Sequence, residues 1–183
     1  QLRITYRDGT TETIGTDLSW KASRGPILES DIYNGEIYDA NLELDGWSRP
    51  GYNDSEWSAV ATLDVPFEKL VAPEGPPVRI VDELEPLSIE RVGSDWRVDM
   101  GQNMVGWARM KVKGQKGDQV TLQFAEVLDK EGNFYTTNLR GAEAKDIYTL
   151  KGGDEEIFEP HFTSHGFPSS ISTFGSSRSS LSQ

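Results

Sequence analysis

Three groups of residues in this chain have the types and spacing that chemistry needs. The first is Asp99, Gln102 and Asn103, set with Gly101 and Gly106 inside Trp96-Arg-Val-Asp-Met-Gly-Gln-Asn-Met-Val-Gly-Trp107. Side-chain amides both donate and accept, as a sugar hydroxyl demands, and glycine allows a tight bend or a close backbone approach. The competing reading is that Gln102 and Asn103 only satisfy backbone groups at the bend. The second group lies in Glu29-Ser-Asp-Ile-Tyr-Asn-Gly-Glu-Ile-Tyr-Asp39. Asp31, Asn34 and Glu36 bring oxygen donors together around an Asn-Gly turn, and calcium takes six to eight oxygens. The spacing is not that of an EF-hand loop. The competing reading is a solvated acidic hairpin with its tyrosines packed inward. The third group is His161 and His165. Two histidines four apart hold a metal when they share a helix face, but Pro160 and the strand pattern around them oppose a helix. No nucleophile stands beside either. Glycoside hydrolysis needs two carboxyl groups across one cleft. Thirty acidic residues supply such pairs everywhere and so single out none. Independent catalysis is not expected.

The elements that must position these residues are strands. Trp96, Val98 and Met100 alternate with Arg97 and Asp99, and Ala108, Met110 and Val112 alternate with Arg109, Lys111 and Lys113. Period-two alternation means one face buried and one wet. Val120, Leu122 and Phe124 repeat the pattern, and residues 146–150 and 157–163 read as further strands between glycine turns. Leu2, Ile4 and Tyr6 alternate at the start, Asp8-Gly9 is a hairpin turn, and residues 11–14 are the return strand. Trp20 is expected in the core. Asn53, Asp54 and Ser55 can cap a single helical turn that carries Trp57. Trp47, Tyr52 and Trp57 are read as core residues, with sugar stacking as the alternative. No stretch reads as a helix of ten residues. Pro66, Pro73, Gly75, Pro76 and Pro77 mark a stiff linker, which places the domain boundary near Pro73. Residues 1–72 form the first domain, 73–167 the second, and the Ser-rich 168–183 an irregular tail. Short strands with turn signals between them argue for β-sandwiches.

Composition sets the outer limits. The 183 residues carry a formal charge of −12. Nucleic acid and anionic membrane are not expected partners, because phosphate binding needs clustered Lys and Arg. The chain has no cysteine, so disulfides, zinc–cysteine sites and thiol nucleophiles are excluded together. No apolar run approaches the ~20 residues of a membrane span. The compartment stays open between cytoplasm and secretion. The chain begins with Gln, without Met and inside a strand pattern, which reads as a piece of a longer protein.

Several motifs, in order and at compatible spacing, resemble bacterial α-L-rhamnosidases (glycoside hydrolase family 78). They are Gly25-Pro-Ile-Leu-Glu-Ser-Asp-Ile-Tyr-Asn-Gly-Glu36, Gly46-Trp-Ser-Arg-Pro-Gly-Tyr-Asn-Asp-Ser-Glu-Trp57 and Asp99-Met-Gly-Gln-Asn-Met-Val-Gly-Trp107. Phe124-Ala-Glu-Val-Leu128, Asn138-Leu-Arg140, Asp146-Ile-Tyr-Thr-Leu-Lys-Gly152 and Phe162-Thr-Ser-His-Gly-Phe167 follow. The resemblance implies an all-β chain of two galactose-binding-like or jelly-roll sandwiches, the first incomplete, in front of a helical catalytic barrel. It implies a non-catalytic role supporting that barrel, the full enzyme removing terminal α-L-rhamnose. The alternative it implies is a calcium-dependent rhamnose-binding module, with Asp31, Asn34 and Glu36 on the metal. Gln102, Asn103, Arg140 and His165 would then form a polar, carbohydrate-binding cluster at the second sandwich's rim. Expected partners are a rhamnose-containing glycan and the catalytic domain, with self-association through exposed sheet edges. After Phe167 the family continues with an aromatic strand where this chain has Pro168 and serines. The expectation is a truncated or frame-shifted tail.

Overall fold

A computed structural model describes residues 2–63, 69–167, 170–173 and 180–181. The chain forms two compact units, one of Gln1–Arg24 with Leu44–Ile80, the other of Gly25–Glu43 with Val81–Gln183. Both are built of strands, so the all-β expectation holds.

The first unit is made of short ladders. β1 (Leu2–Thr5) pairs antiparallel with β2 (Thr11–Ile14) across the Asp8-Gly9 turn. The Asp8 carboxylate accepts from the Thr10 backbone and hydroxyl, which closes that turn. β3 (Lys21–Ala22) pairs with a strand at Ser58–Ala59, and the Lys21 ammonium bonds Asp54 at 2.9 Å. Asn53 caps the turn that follows, accepting from the Ser55 N–H, and Trp57 closes it on the Asp54 carbonyl. Trp57 contacts both Trp47 and Tyr52, at ring separations of 6.4 and 5.7 Å. Trp20, expected inside, is exposed. The β3 ladder beside it is two residues long and brings no covering layer.

The second unit is a sandwich. Its main sheet starts with a hairpin of β4 (Ile27–Asp31) and β5 (Gly35–Asp39). With the Ser58–Ala59 strand as β6, there follow β7 (Ser88–Val92), β8 (Asp95–Asp99), β9 (Met104–Gly106), β10 (Met110–Lys113) and β11 (Gln119–Ala125). Then come β12 (Lys145–Thr149), β13 (Glu156–Phe158), β14 (His165–Phe167), β15 (Ser170–Thr173) and β16 (Ser180–Leu181). The seven-stranded sheet runs β4-β5-β12-β11-β15-β8-β7. A three-stranded sheet, β13-β10-β16, and the β14-β9 pair complete the unit. The expected alternation decides what lies inside. Met110 and Val112 of β10, and Val120, Leu122 and Phe124 of β11, are buried with Tyr148, Leu150, Phe158 and Phe167 in one apolar cluster.

Two arrangements differ from the sequence reading. Residues Gly25–Glu43 belong to the second unit, whereas the expected first domain ran unbroken over 1–72. The reason is the pairing of β5, which runs parallel to β12 with Ile37 opposite Ile147 and Tyr38 opposite Tyr148. A parallel partner far along the chain leaves no local signal. The tail, expected to be irregular, also contributes strands. β15 lies between β11 and β8 and pairs with both, and β16 pairs with β10. The slot between β11 and β8 presents unpaired backbone groups to any extended segment, and Ser, Ile and Thr at 170–173 are compatible with a strand. The rest of the proposed altered tail, 168–169, 174–179 and 182–183, lies outside the described residues.

Candidate functional site

The densest polar arrangement is inside the second unit, where the β4–β5 hairpin meets β12. Gly35 opens β5 at φ +108°, and a Cβ there would stand 2.1 Å from the Lys145 carbonyl oxygen. Only glycine lets the two backbones come this close. The seam is closed by Ala144 and Lys145, whose N–H groups donate to the carbonyls of Tyr33 and Asn34 at 3.0 and 2.9 Å. The Glu36 N–H donates to Asp146 Oδ1 at 2.9 Å.

Behind this seam lie two carboxylates and the buried His165, with the exposed His161 at their edge. Glu36 and Asp146 are both fully buried. Glu36 accepts from the backbone N–H groups of His161 and Phe162 at 3.0 and 3.3 Å, and its other oxygen meets His161 Nδ1 at 3.2 Å. His165 Nε2 stands 3.1 Å from Asp146 Oδ1, and its ring stacks on Phe124 at 4.2 Å. Asp146 Oδ2 is buried and meets no protein partner. Nearby, the Tyr148 hydroxyl donates to Glu156, which also accepts from the Lys151 and Gly152 backbones. Burial pushes the Tyr148 and Tyr38 phenols far up, helped by Glu156 and Glu43 respectively. A glycosidase pair must flank a cleft that admits the sugar. Glu36 and Asp146 instead are buried against backbone N–H groups, the exposed His161 ring and the buried His165 ring. They join hairpin, β12 and the β13–β14 connection into one core.

The residues singled out from sequence fall at separate places. Asp31 turns its carboxylate onto the Tyr33 and Asn34 N–H groups, which hold it below the usual aspartate range. The Asn34 side-chain carbonyl accepts from the Glu143 N–H at 3.3 Å. With Glu36 turned inward, Asp31, Asn34 and Glu36 do not converge as one ligand set. Among the described residues no group of three or more acidic or histidine side chains is placed to hold a metal. Gln102 and Asn103 are exposed at the β8–β9 bend, where Asp99 accepts from the Gly101 N–H. His165 is in the core. Arg140 is exposed and lines a shallow cavity with Gln123, Thr136, Ala142, Glu143 and Lys145. Neither Gln102, Asn103 nor His165 reaches that cavity. The buried network was missed as a network. Its signal was Asp146, an acidic residue in phase with Tyr148 and Leu150 on the inward face of its strand.

Comparison with known proteins places this architecture. The model of the α-L-rhamnosidase N-terminal domain matches residues 1–82. That of the bacterial α-L-rhamnosidase concanavalin-like domain matches 91–168. The chain belongs to the α-L-rhamnosidase family. An α-L-rhamnosidase of Streptomyces avermitilis is 48% identical over 170 residues, and one of Alteromonas sp. is 47% identical over 171. The match takes in 91% of this chain but only 16% and 18% of theirs. Among solved structures, the Streptomyces avermitilis α-L-rhamnosidase complexed with L-rhamnose superimposes with a TM-score of 0.83 at 45% identity. That match covers 93% of this chain and 17% of the other. The native enzyme of Aspergillus terreus gives 0.82 at 42% identity, covering 93% and 20%. The chain therefore spans less than a fifth of its curated relatives. The matched parts are the N-terminal and concanavalin-like domains, and the two windows leave residues 83–90 between them, past the proline-rich stretch and the boundary expected near Pro73.

Proposed function

We propose that this chain is a supporting β-region of an α-L-rhamnosidase, holding a catalytic domain that removes terminal α-L-rhamnose from glycosides. The observation that carries this reading is a match of nearly half the residues over almost the whole chain, confined to less than a fifth of each relative. The buried network supports it. The carboxylates that join the β4–β5 hairpin to the rest of the second unit are sealed from solvent, which suits a rigid frame and does not suit turnover. Exposed apolar side chains on the second unit, Val105, Ile157 and Phe162 among them, offer contact area for a neighbouring domain.

A chimera tests the proposal. The matching region of the Streptomyces avermitilis enzyme is replaced by this chain, and rhamnoside hydrolysis and melting temperature are measured beside the parent and a deletion of the region. The expected result is a folded chimera with kcat within about tenfold of the parent and a deletion that is unstable. A deletion as stable and active as the parent would overturn the supporting role.

A further inference from the structure

The surface cavity at Arg140 has a construction that support alone does not require. It has a volume of about 300 Å³ and is lined by Gln123, Thr136, Arg140, Ala142, Glu143 and Lys145. That is the lower end of the range for small-molecule sites, about 300–1,000 Å³. The loop that forms it is held at both ends in backbone conformations that side-chain-bearing residues avoid. Arg140 sits at φ 59°, ψ −104° and Ala144 at φ 46°. The Arg140 conformation is the mirror image of ordinary extended backbone, a region that glycine occupies freely. Gly141 stands next to it, yet the strained position carries arginine.

The charges are also specific. Lys145 pairs with Glu143 at 2.7 Å, so those two lining charges cancel. Arg140 is left as the net positive group of the cavity. Among the described residues no hydrogen bond or ion pair engages its side chain, in a chain with 30 acidic and 18 basic residues. A guanidinium binds a carboxylate through two parallel N–H bonds. Around it, Thr136 supplies a hydroxyl, and Gln123, whose Nε2 is held by the Glu143 and Ala144 carbonyls, supplies an amide oxygen that can accept from a ring hydroxyl. Tyr33 is two-thirds exposed at the hairpin tip, and its carbonyl bonds the Ala144 N–H, which places an aromatic residue beside the same loop.

We propose that this cavity binds an acidic saccharide, a sugar ring whose carboxylate pairs with Arg140. The proposal goes beyond the supporting role and does not depend on it. Backbone amide shifts of the full 183-residue chain are followed by NMR during titration with D-glucuronate, L-rhamnose and acetate. Glucuronate is expected to move the 140–145 amides saturably in the millimolar range, with acetate and L-rhamnose at least about tenfold weaker. The deciding variant is Arg140→Gly. It removes the guanidinium and at the same time relieves the backbone, so it should lose glucuronate binding while its Tm rises by about 2–4 °C. Unchanged glucuronate binding in Arg140→Gly would overturn the proposal. So would shifts as large with acetate, which mark an anion site only, or with L-rhamnose, which mark a neutral-sugar site. No shift with glucuronate would overturn it as well, and would leave the outcome of the chimera experiment untouched.

Discussion

Gly35→Ala should be among the most damaging single-methyl additions in the second unit. Two effects add. The residue sits at φ +108°, where a side chain costs about 1–2 kcal/mol. The new Cβ would also stand 2.1 Å from the Lys145 carbonyl oxygen, 2.6 Å from its carbon and 2.7 Å from Asp146 Oδ1. Two of these are backbone atoms, which cannot rotate away, so β5 must separate from β12. Overpacking of this kind adds about 1–3 kcal/mol. The sum, about 2–5 kcal/mol, is a large part of a typical domain stability of about 5–15 kcal/mol. Gly93→Ala is the control. It lies in the β7–β8 turn of the same unit at φ +66°, with nothing within 4 Å of the added Cβ. Only the conformational cost of about 1–2 kcal/mol applies there. Urea unfolding followed by circular dichroism reads the difference. With a slope of about 2 kcal/mol/M, the midpoint should fall by about 1–2.5 M for Gly35→Ala and by about 0.5–1 M for Gly93→Ala. Equal shifts for the two variants would refute the close seating of the hairpin on β12.

Further predictions follow from the same core. Glu36→Ala leaves the His161 and Phe162 N–H groups and a buried space without a partner, and should cost about 3–5 kcal/mol by urea unfolding, with Glu36→Gln costing less. Tyr38 and Tyr148 are held protonated in the folded chain, so the unfolded state binds fewer protons above pH about 10, and stability should fall as pH rises beyond that value. Phenolate absorbance should then show these two of the six tyrosines ionising only as the sheet unfolds. Calcium or a chelator should leave the melting temperature unchanged, because the side chains of Asp31 and Glu36 are engaged by backbone N–H groups; a calcium-induced rise of several degrees would contradict that. Exposed Val105, Ile157 and Phe162 should make the isolated chain associate as its concentration rises, which light scattering would detect.

Much of this fold is legible from alternation. Val120, Leu122 and Phe124 point inward as their spacing requires, as do Met110 and Val112. The turns at Asp8-Gly9 and Asn53 to Trp57 were readable because their chemistry is local. What could not be read was long-range. Ile37 meets Ile147 across more than a hundred residues, and nothing near either one announces a parallel partner. The same limit scattered the candidate site. Glu36 and His165 were singled out for ligands, but a buried carboxylate and a surface one look alike in sequence. Their placement follows from which strand lies behind them. Arg140 was found through motif resemblance, and its left-handed backbone came only from the structure.

On the proposed reading this β-region supports a rhamnosidase and does not itself cleave. The most direct measurement is release of the chromophore from an aryl α-L-rhamnopyranoside by the purified chain, beside the Streptomyces avermitilis enzyme at equal concentration. No release above buffer is expected, since Glu36 and Asp146 are sealed in the core. Turnover that co-purifies with the chain and is abolished by replacing one of its carboxylates would contradict it.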